Sequence, residues 1–217
     1  MYQSRLKTIM DLSFNCLYEK IDGGLIIVEN EASLQLQLSS ILKTFGEQFI
    51  FKKDELFAIE LEKPVKLSEG TFNKSNSSKA RIDIFISIEN ITTKKKTNCS
   101  IELKFFKKAN HREPNNRYDV FKDIQNLENY AEFSNFGFLL VATDHKHYVE
   151  YNNYSNDTAD FDFRNNSKYK AGTKLEYKTK KPYGSPIVLQ NNYNFTWKTS
   201  VNGISFMLLE VESKKKL

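Results

Sequence analysis

The chain has 217 residues, 40% of them hydrophobic, 13% aromatic and 27% charged, with 32 basic against 27 acidic side chains and a formal net charge of +5. That aromatic content excludes a largely disordered chain, and 8 Gly, 4 Pro and 2 Cys exclude collagen-like and disulfide-scaffold classes. No apolar run approaches the roughly 18 residues of a membrane span, and Met1 to Met10 carries no apolar signal core, so one soluble, cytoplasmic domain without a membrane partner is expected.

Apolar residues Leu6, Ile9, Met10, Phe14 and Leu17 recur at helical spacing and predict a helix over 3–19, closed by Asp22-Gly23-Gly24. A second helix is predicted from Glu31 to Phe45, on the stripe Leu34, Leu38, Ile41, Leu42 and Phe45, with Asn30 as N-cap and Gly46 as stop. Gln48 to Phe51 and Leu56 to Leu61 read as strands, and the polar run Ser68 to Lys79 as a loop. Ala80 to Ile88 alternates, with Ile82, Ile84, Ile86 and Ile88 on one side and Arg81, Asp83, Phe85 and Ser87 on the other. After a hairpin-like connection at Thr92 to Asn98, Cys99 to Phe106 is its partner strand, with Glu102 and Lys104 sharing one face.

The polar stretch Lys107 to Asn116 leads to a third helix, Arg117 to Phe133, whose core side is Val120, Phe121, Ile124, Leu127 and Ala131. Phe136 to Thr143 is nearly all apolar and short, which predicts a buried central strand. His145 and His147 then read as a surface pair on one side of a strand; neither they nor His111 form a zinc pattern with Cys16 or Cys99. A loop-like region follows to about Pro186, then strands at Ile187 to Trp197 and Ile204 to Val211, and a tail Lys214 to Lys216. Tyr193, Phe195 and Trp197 are expected in the core, with base stacking as the alternative.

Chemistry concentrates on Asp83, Glu102 and Lys104. Pairing of the two strands brings the carboxylates together, and adjacent carboxylates repel unless a cation joins them. Hard oxygen ligands suit Mg²⁺ or Mn²⁺. A neighbouring Lys can orient or deprotonate an attacking water, or neutralise charge developing on a phosphate. The alternative is a solvent-facing patch in which Asp83 is merely the cross-strand partner of Glu102 and Lys104.

Asp83, followed nineteen residues later by Glu102-Leu103-Lys104, resembles the D…(D/E)-x-K motif of the PD-(D/E)XK nuclease superfamily, whose restriction-endonuclease-like core has the order αβββαβ. Ile82 stands where the motif has Pro. The element order implies an α/β fold with a mixed central sheet flanked by helices, the resemblance implies a restriction-endonuclease-like core at about 31–143, and about 147–217 reads as a C-terminal β-rich extension. The resemblance also implies Asp83 and Glu102 as metal ligands, Glu31 on the first core helix as a third, and Lys104 as the catalytic lysine. Glu31 read alone is also a dipole-favoured residue at a helix start.

The resemblance further places the third helix beside the substrate cleft, where Arg117 would meet phosphate; without it, Arg117, Asp119 and Asp123 read as a solvated helix face. The expected activity is Mg²⁺-dependent hydrolysis of nucleic acid, as a DNA endonuclease of restriction or phage-defence type, with pairing of two copies to cut both strands. A binding or assembly module that keeps the fold without catalysis is the competing expectation.

Charge alone does not decide between them: Lys outnumbers Arg 27 to 5 and Asn occurs 21 times, as an AT-rich gene would also give. The excess is local, because residues 1–152 hold 21 basic and 21 acidic side chains and residues 153–217 hold 11 and 6. Lys174, Lys178, Lys180 and Lys181 are therefore the expected nucleic-acid grip.

Overall fold

The computed structural model describes residues 1–68 and 78–213; most of the predicted loop at Ser68 to Lys79 and the tail Lys214 to Lys216 lie outside the described residues. Helix α1 spans Tyr2–Asp22 and α2 spans Glu31–Gln48. Asn30 caps α2 as expected: its side-chain oxygen accepts from the Ser33 N–H at 2.8 Å, and Ser33 Oγ accepts from the Asn30 N–H at 3.2 Å. Gly46 does not stop the helix. It lies inside α2, where a Cβ would stand 2.2 Å from the Phe57 ring, so the missing side chain lets the next strand pack close. Gln48 to Phe51, expected as a strand, is the end of α2 and a turn. Its apolar run is too short for periodicity to distinguish the two.

Strands β1 (Glu55–Lys66), β2 (Lys79–Asn90), β3 (Lys96–Phe106) and β4 (Phe136–Thr143) follow, with α3 (Glu113–Asn129) between β3 and β4. The predicted helix, strand, strand, strand, helix, strand order is observed from Glu31 to Thr143. α3 starts four residues before its predicted first residue, with Pro114 in the first turn, and ends ahead of a 3₁₀ turn at Tyr130–Glu132. β1, β2 and β3 pair antiparallel, α3 is the crossover that makes β3 and β4 parallel, and Ser205–Glu212 pairs antiparallel with β4 on its other side. Lys198–Thr199 completes a six-stranded mixed sheet. β1 is its edge, which is why Pro64, lacking an N–H, is tolerated there.

Each face of the sheet has its own apolar layer. On one, Leu34, Leu38 and Leu42 of α2 and Leu6 and Ile9 of α1 cover Ile84, Ile86 and Leu103. On the other, Phe121, Ile124 and Leu127 of α3 cover Phe85, Leu139 and Val141. All eight residues of β4 are buried. Gly137 permits the α3 contact, since a Cβ would meet Leu127 at 2.6 Å.

The region after Tyr154 is a cover over the outer side of α3. Tyr169 and Phe195 pack edge-on to Phe121, and Phe161 packs tilted against it. The predicted strand at Ile187 to Trp197 is broken into Ile187–Val188 and Tyr193–Asn194, each paired in a two-stranded ribbon, with Lys174–Leu175 and Lys168–Tyr169 respectively. Between them the N–H groups of Gln190 and Asn191 go to the buried Glu128 carboxylate of α3 at 2.8 and 3.1 Å instead of to a ladder. Tyr193 and Phe195 are core residues, and Trp197 donates its indole N–H to Phe163 O at 2.7 Å. Among the described residues no helix is long and apolar enough to cross a membrane.

One ion pair ties α1 to the edge strand. Arg5 donates to both oxygens of the buried Glu55 at 2.8 Å and to Phe49 O at 2.9 Å. The paired Arg5 holds the Glu55 carboxyl down at about 2. A carboxyl lowered by folding stabilises fully above its unfolded value of roughly 4.3 and loses that contribution as pH falls toward about 2. Arg5→Ala is therefore expected to lower the thermal midpoint by several degrees at neutral pH, with the gap from the parent closing between those two pH values. A gap independent of pH would show that the pair contributes only packing.

Candidate active site

The β2–β3 ladder runs from Glu89–Lys96 to Ile84–Ile101 and stops there. One more step would set Asp83 opposite Glu102. Instead the Asp83 carboxylate accepts the Leu103 N–H at 2.7 Å, a side chain standing where a main-chain acceptor would be. On the other side the β1–β2 ladder pairs Leu61 with Ile84 and Lys63 with Ile82, passing over Glu62, whose φ of 49° is left-handed. The Asp83 carbonyl freed by this irregularity is taken by Gln35 of α2 at 2.7 Å, and the same amide donates to Glu62 at 3.0 Å. β2 turns over here: Ile84, Ile86 and Ile88 face α1 and α2, whereas Ile82 packs on the α3 side. Asp83 thus sits at a gap in the sheet.

Through that gap, groups from α2 and α3, on opposite faces, reach one ammonium. Lys104 Nζ lies 2.8 Å from Asp123 of α3 and 4.0 Å from Glu31 of α2, and donates to Leu103 O at 2.8 Å. Glu102 is buried, and Tyr130 donates its hydroxyl to one carboxylate oxygen at 2.9 Å.

The electrostatics follow from this crowding. Burial first, and then Asp83 and Asp123, push the Glu102 carboxyl well above its ordinary value. Burial likewise raises Asp83 and Glu31, against the opposing pull of Lys104. Burial works against the Lys104 ammonium, but Asp123, Glu31, Glu102 and Asp83 outweigh it and hold its pKa above normal. Asp83, Glu102 and Asp123 thus crowd one cation in a largely dry place, and the half-exposed Glu31 approaches it from the solvent side. Their hard oxygens and excess negative charge suit a small divalent cation. Among the described residues no three ligating side chains are already gathered around one point, so the fit lies in charge and donor type.

The structure places Glu31 against Lys104, with Asp83 and Glu102 close enough to act on its charge. It adds Asp123, Tyr130 and Gln35. Asp123 was open to reading as part of a solvated helix face, yet it is 1% exposed. Its spacing held the signal: it lies three residues after Val120 and four before Leu127, on the apolar stripe that faces the sheet.

Arg117 is placed elsewhere. Its guanidinium is 2% exposed, donates to Thr158 O at 3.0 Å, to Thr158 Oγ1 and to Phe161 O at 3.3 Å, and lies 3.7 Å over the Tyr154 ring. It pins the C-terminal cover to α3 and presents nothing to a phosphate. Lys174, Lys178, Lys180 and Lys181 are exposed on that cover, with Lys174 paired to Glu176 at 2.7 Å and Lys178 to Asp160 at 2.9 Å. The expected surface pair of histidines is partly buried and not on a strand. His145 contacts Glu113 at 3.0 Å, and the His147 ring lies against Tyr151 and Tyr154.

No family model, curated protein or solved structure matches the chain.

Proposed function

We propose that this protein is a divalent-metal-dependent nuclease with a restriction-endonuclease-like core, hydrolysing phosphodiester bonds in DNA. The observation that carries the reading is Lys104 held between Glu31 and Asp123, beside the gap between β2 and β3 where Asp83 takes the Leu103 N–H and Glu102 lies buried, both acting on the same ammonium. Asp83 and Glu102 would hold Mg²⁺ or Mn²⁺, with Glu31 as a further ligand, and the ion would polarise the phosphate and acidify a bound water. Tyr130 fixes which way the Glu102 carboxylate turns, and the Leu103 N–H does the same for Asp83. Lys104, kept protonated by its four neighbours, supplies positive charge where charge develops on the phosphate rather than acting as a base. Placement as a restriction or phage-defence enzyme, and the pairing of two copies, rest on the motif resemblance.

The test is cleavage of plasmid DNA and of RNA with Mg²⁺ or Mn²⁺, by the parent and by Asp83→Asn. Parent cleavage of DNA and a loss of about a hundredfold or more in the variant are expected. Cleavage of neither polymer, or equal rates for the two proteins, would sink the proposal. Salt-dependent binding with no turnover would leave the non-catalytic module.

A further inference from the structure

Basic side chains also gather outside the C-terminal region, at one end of the β1–β2 ribbon. Val65, Ala80 and Ile82 pack into the apolar layer on the α3 side. Pro64, Lys66, Lys79 and Arg81 alternate with them and so lie on the opposite face of the β1–β2 ribbon, the face α2 flanks through Gln35 and Glu62. Register sets Lys66 directly opposite Lys79, and Arg81 opposite Pro64. An open groove of about 530 Å³ is lined by Pro64, Val65, Lys66, Lys79, Ala80 and Arg81. All three cations are exposed, and neither Lys66 nor Arg81 has an ion-pair partner among the described residues. Lys174 and Lys178, by contrast, are paired on the cover.

We infer that the face formed by Lys66, Lys79 and Arg81 is the surface that takes the phosphate backbone of nucleic acid and leads it to the site at Asp83, two residues beyond Arg81 along the same strand. This deepens the nuclease proposal and rests on it for the identity of the polyanion. Its position also answers a difficulty of that proposal: the carboxylate cluster repels phosphate, and cations bordering it offset that repulsion on approach.

The experiment is equilibrium binding of a short fluorescein-labelled DNA duplex in EDTA over a salt series. It compares the parent, Lys66→Ala/Lys79→Ala/Arg81→Ala, and Lys174→Ala/Lys178→Ala/Lys180→Ala/Lys181→Ala. The ribbon variant is expected to bind on the order of tenfold to a hundredfold more weakly. Its slope of log K against log salt should be shallower by about 2 to 3, close to one counterion per lost contact. The C-terminal variant should lie nearer the parent. An unchanged slope in the ribbon variant, a loss confined to the C-terminal variant, or no binding by the parent overturns the inference. Should the variant's thermal midpoint collapse, the single Arg81→Gln change is read by the same slope. Metal-free binding separates this from the nuclease proposal. A shallower slope with no cleavage under any metal keeps the surface and rejects the catalyst; cleavage with an unchanged slope does the reverse.

Discussion

Lys104→Ala is expected to abolish metal-dependent cleavage, by about a thousandfold or more, and to destabilise the metal-free protein at the same time. The two losses have one cause. Lys104 is the ammonium at the centre of Glu31, Asp83, Glu102 and Asp123, and its 2.8 Å pair with Asp123 is almost wholly removed from water. Removing one partner of a buried pair typically costs about 3–5 kcal/mol, which in a protein of this size lowers the thermal midpoint by roughly 6–20 °C. Mn²⁺ should then recover more of the midpoint in Lys104→Ala than it adds to the parent, because the ion replaces a missing positive charge.

Glu102→Gln should separate the two effects. Cleavage is lost, but the metal-free midpoint is kept or raised, since a buried, repelled carboxylate has become a neutral amide that still accepts the Tyr130 hydroxyl. The sign with pH follows from the raised carboxyl: folding opposes its ionisation, so its contribution falls as pH rises from roughly 4.3 toward the raised folded value. The advantage of Glu102→Gln should therefore grow with pH above about 4.3. A Lys104→Ala protein that cleaves like the parent, or a Glu102→Gln protein less stable than the parent at neutral pH, would contradict this account.

Arg117→Ala should produce the other large effect, on stability alone. The substitution leaves the Thr158 and Phe161 acceptors without their donor, removes the cation from the face of Tyr154 and opens a cavity beneath the cover. A loss of about 3–5 kcal/mol is expected, read as a lower midpoint in thermal denaturation. Duplex binding by the protein that remains folded should keep the parent's salt slope, because this guanidinium neutralises no phosphate. A shallower slope with an unchanged midpoint would restore Arg117 to the nucleic-acid surface.

The core order was legible because β2, β3 and β4 carry unambiguous patterns: strict alternation in Ala80 to Ile88, and an eight-residue apolar run in Phe136 to Thr143. Asp83, Glu102 and Lys104 were legible because two of them share a strand and the third precedes a hairpin. Other features depended on partners distant in sequence. The stripe position of Asp123 marks it as facing the sheet, but its partner Lys104 lies on another element and has no local mark. Arg117 and Glu128 are polar residues of a helix enclosed on both sides, and what encloses them arrives 40 to 65 residues later along the chain. The left-handed Glu62 carries no cue of its own, being neither Gly nor Asn.

That late enclosure bears on how the protein is made. β4 has its parallel neighbour β3 early, but its other edge is closed only by Ser205–Glu212. A nascent chain that has completed β4 and not yet that strand displays the open edge of Phe-Gly-Phe-Leu-Leu-Val-Ala-Thr, an apolar segment without a charge or proline to discourage pairing with another chain. Premature termination before Ser205 should accordingly yield an aggregating species rather than a partly active one, and folding should await a long-range contact that no local element can substitute.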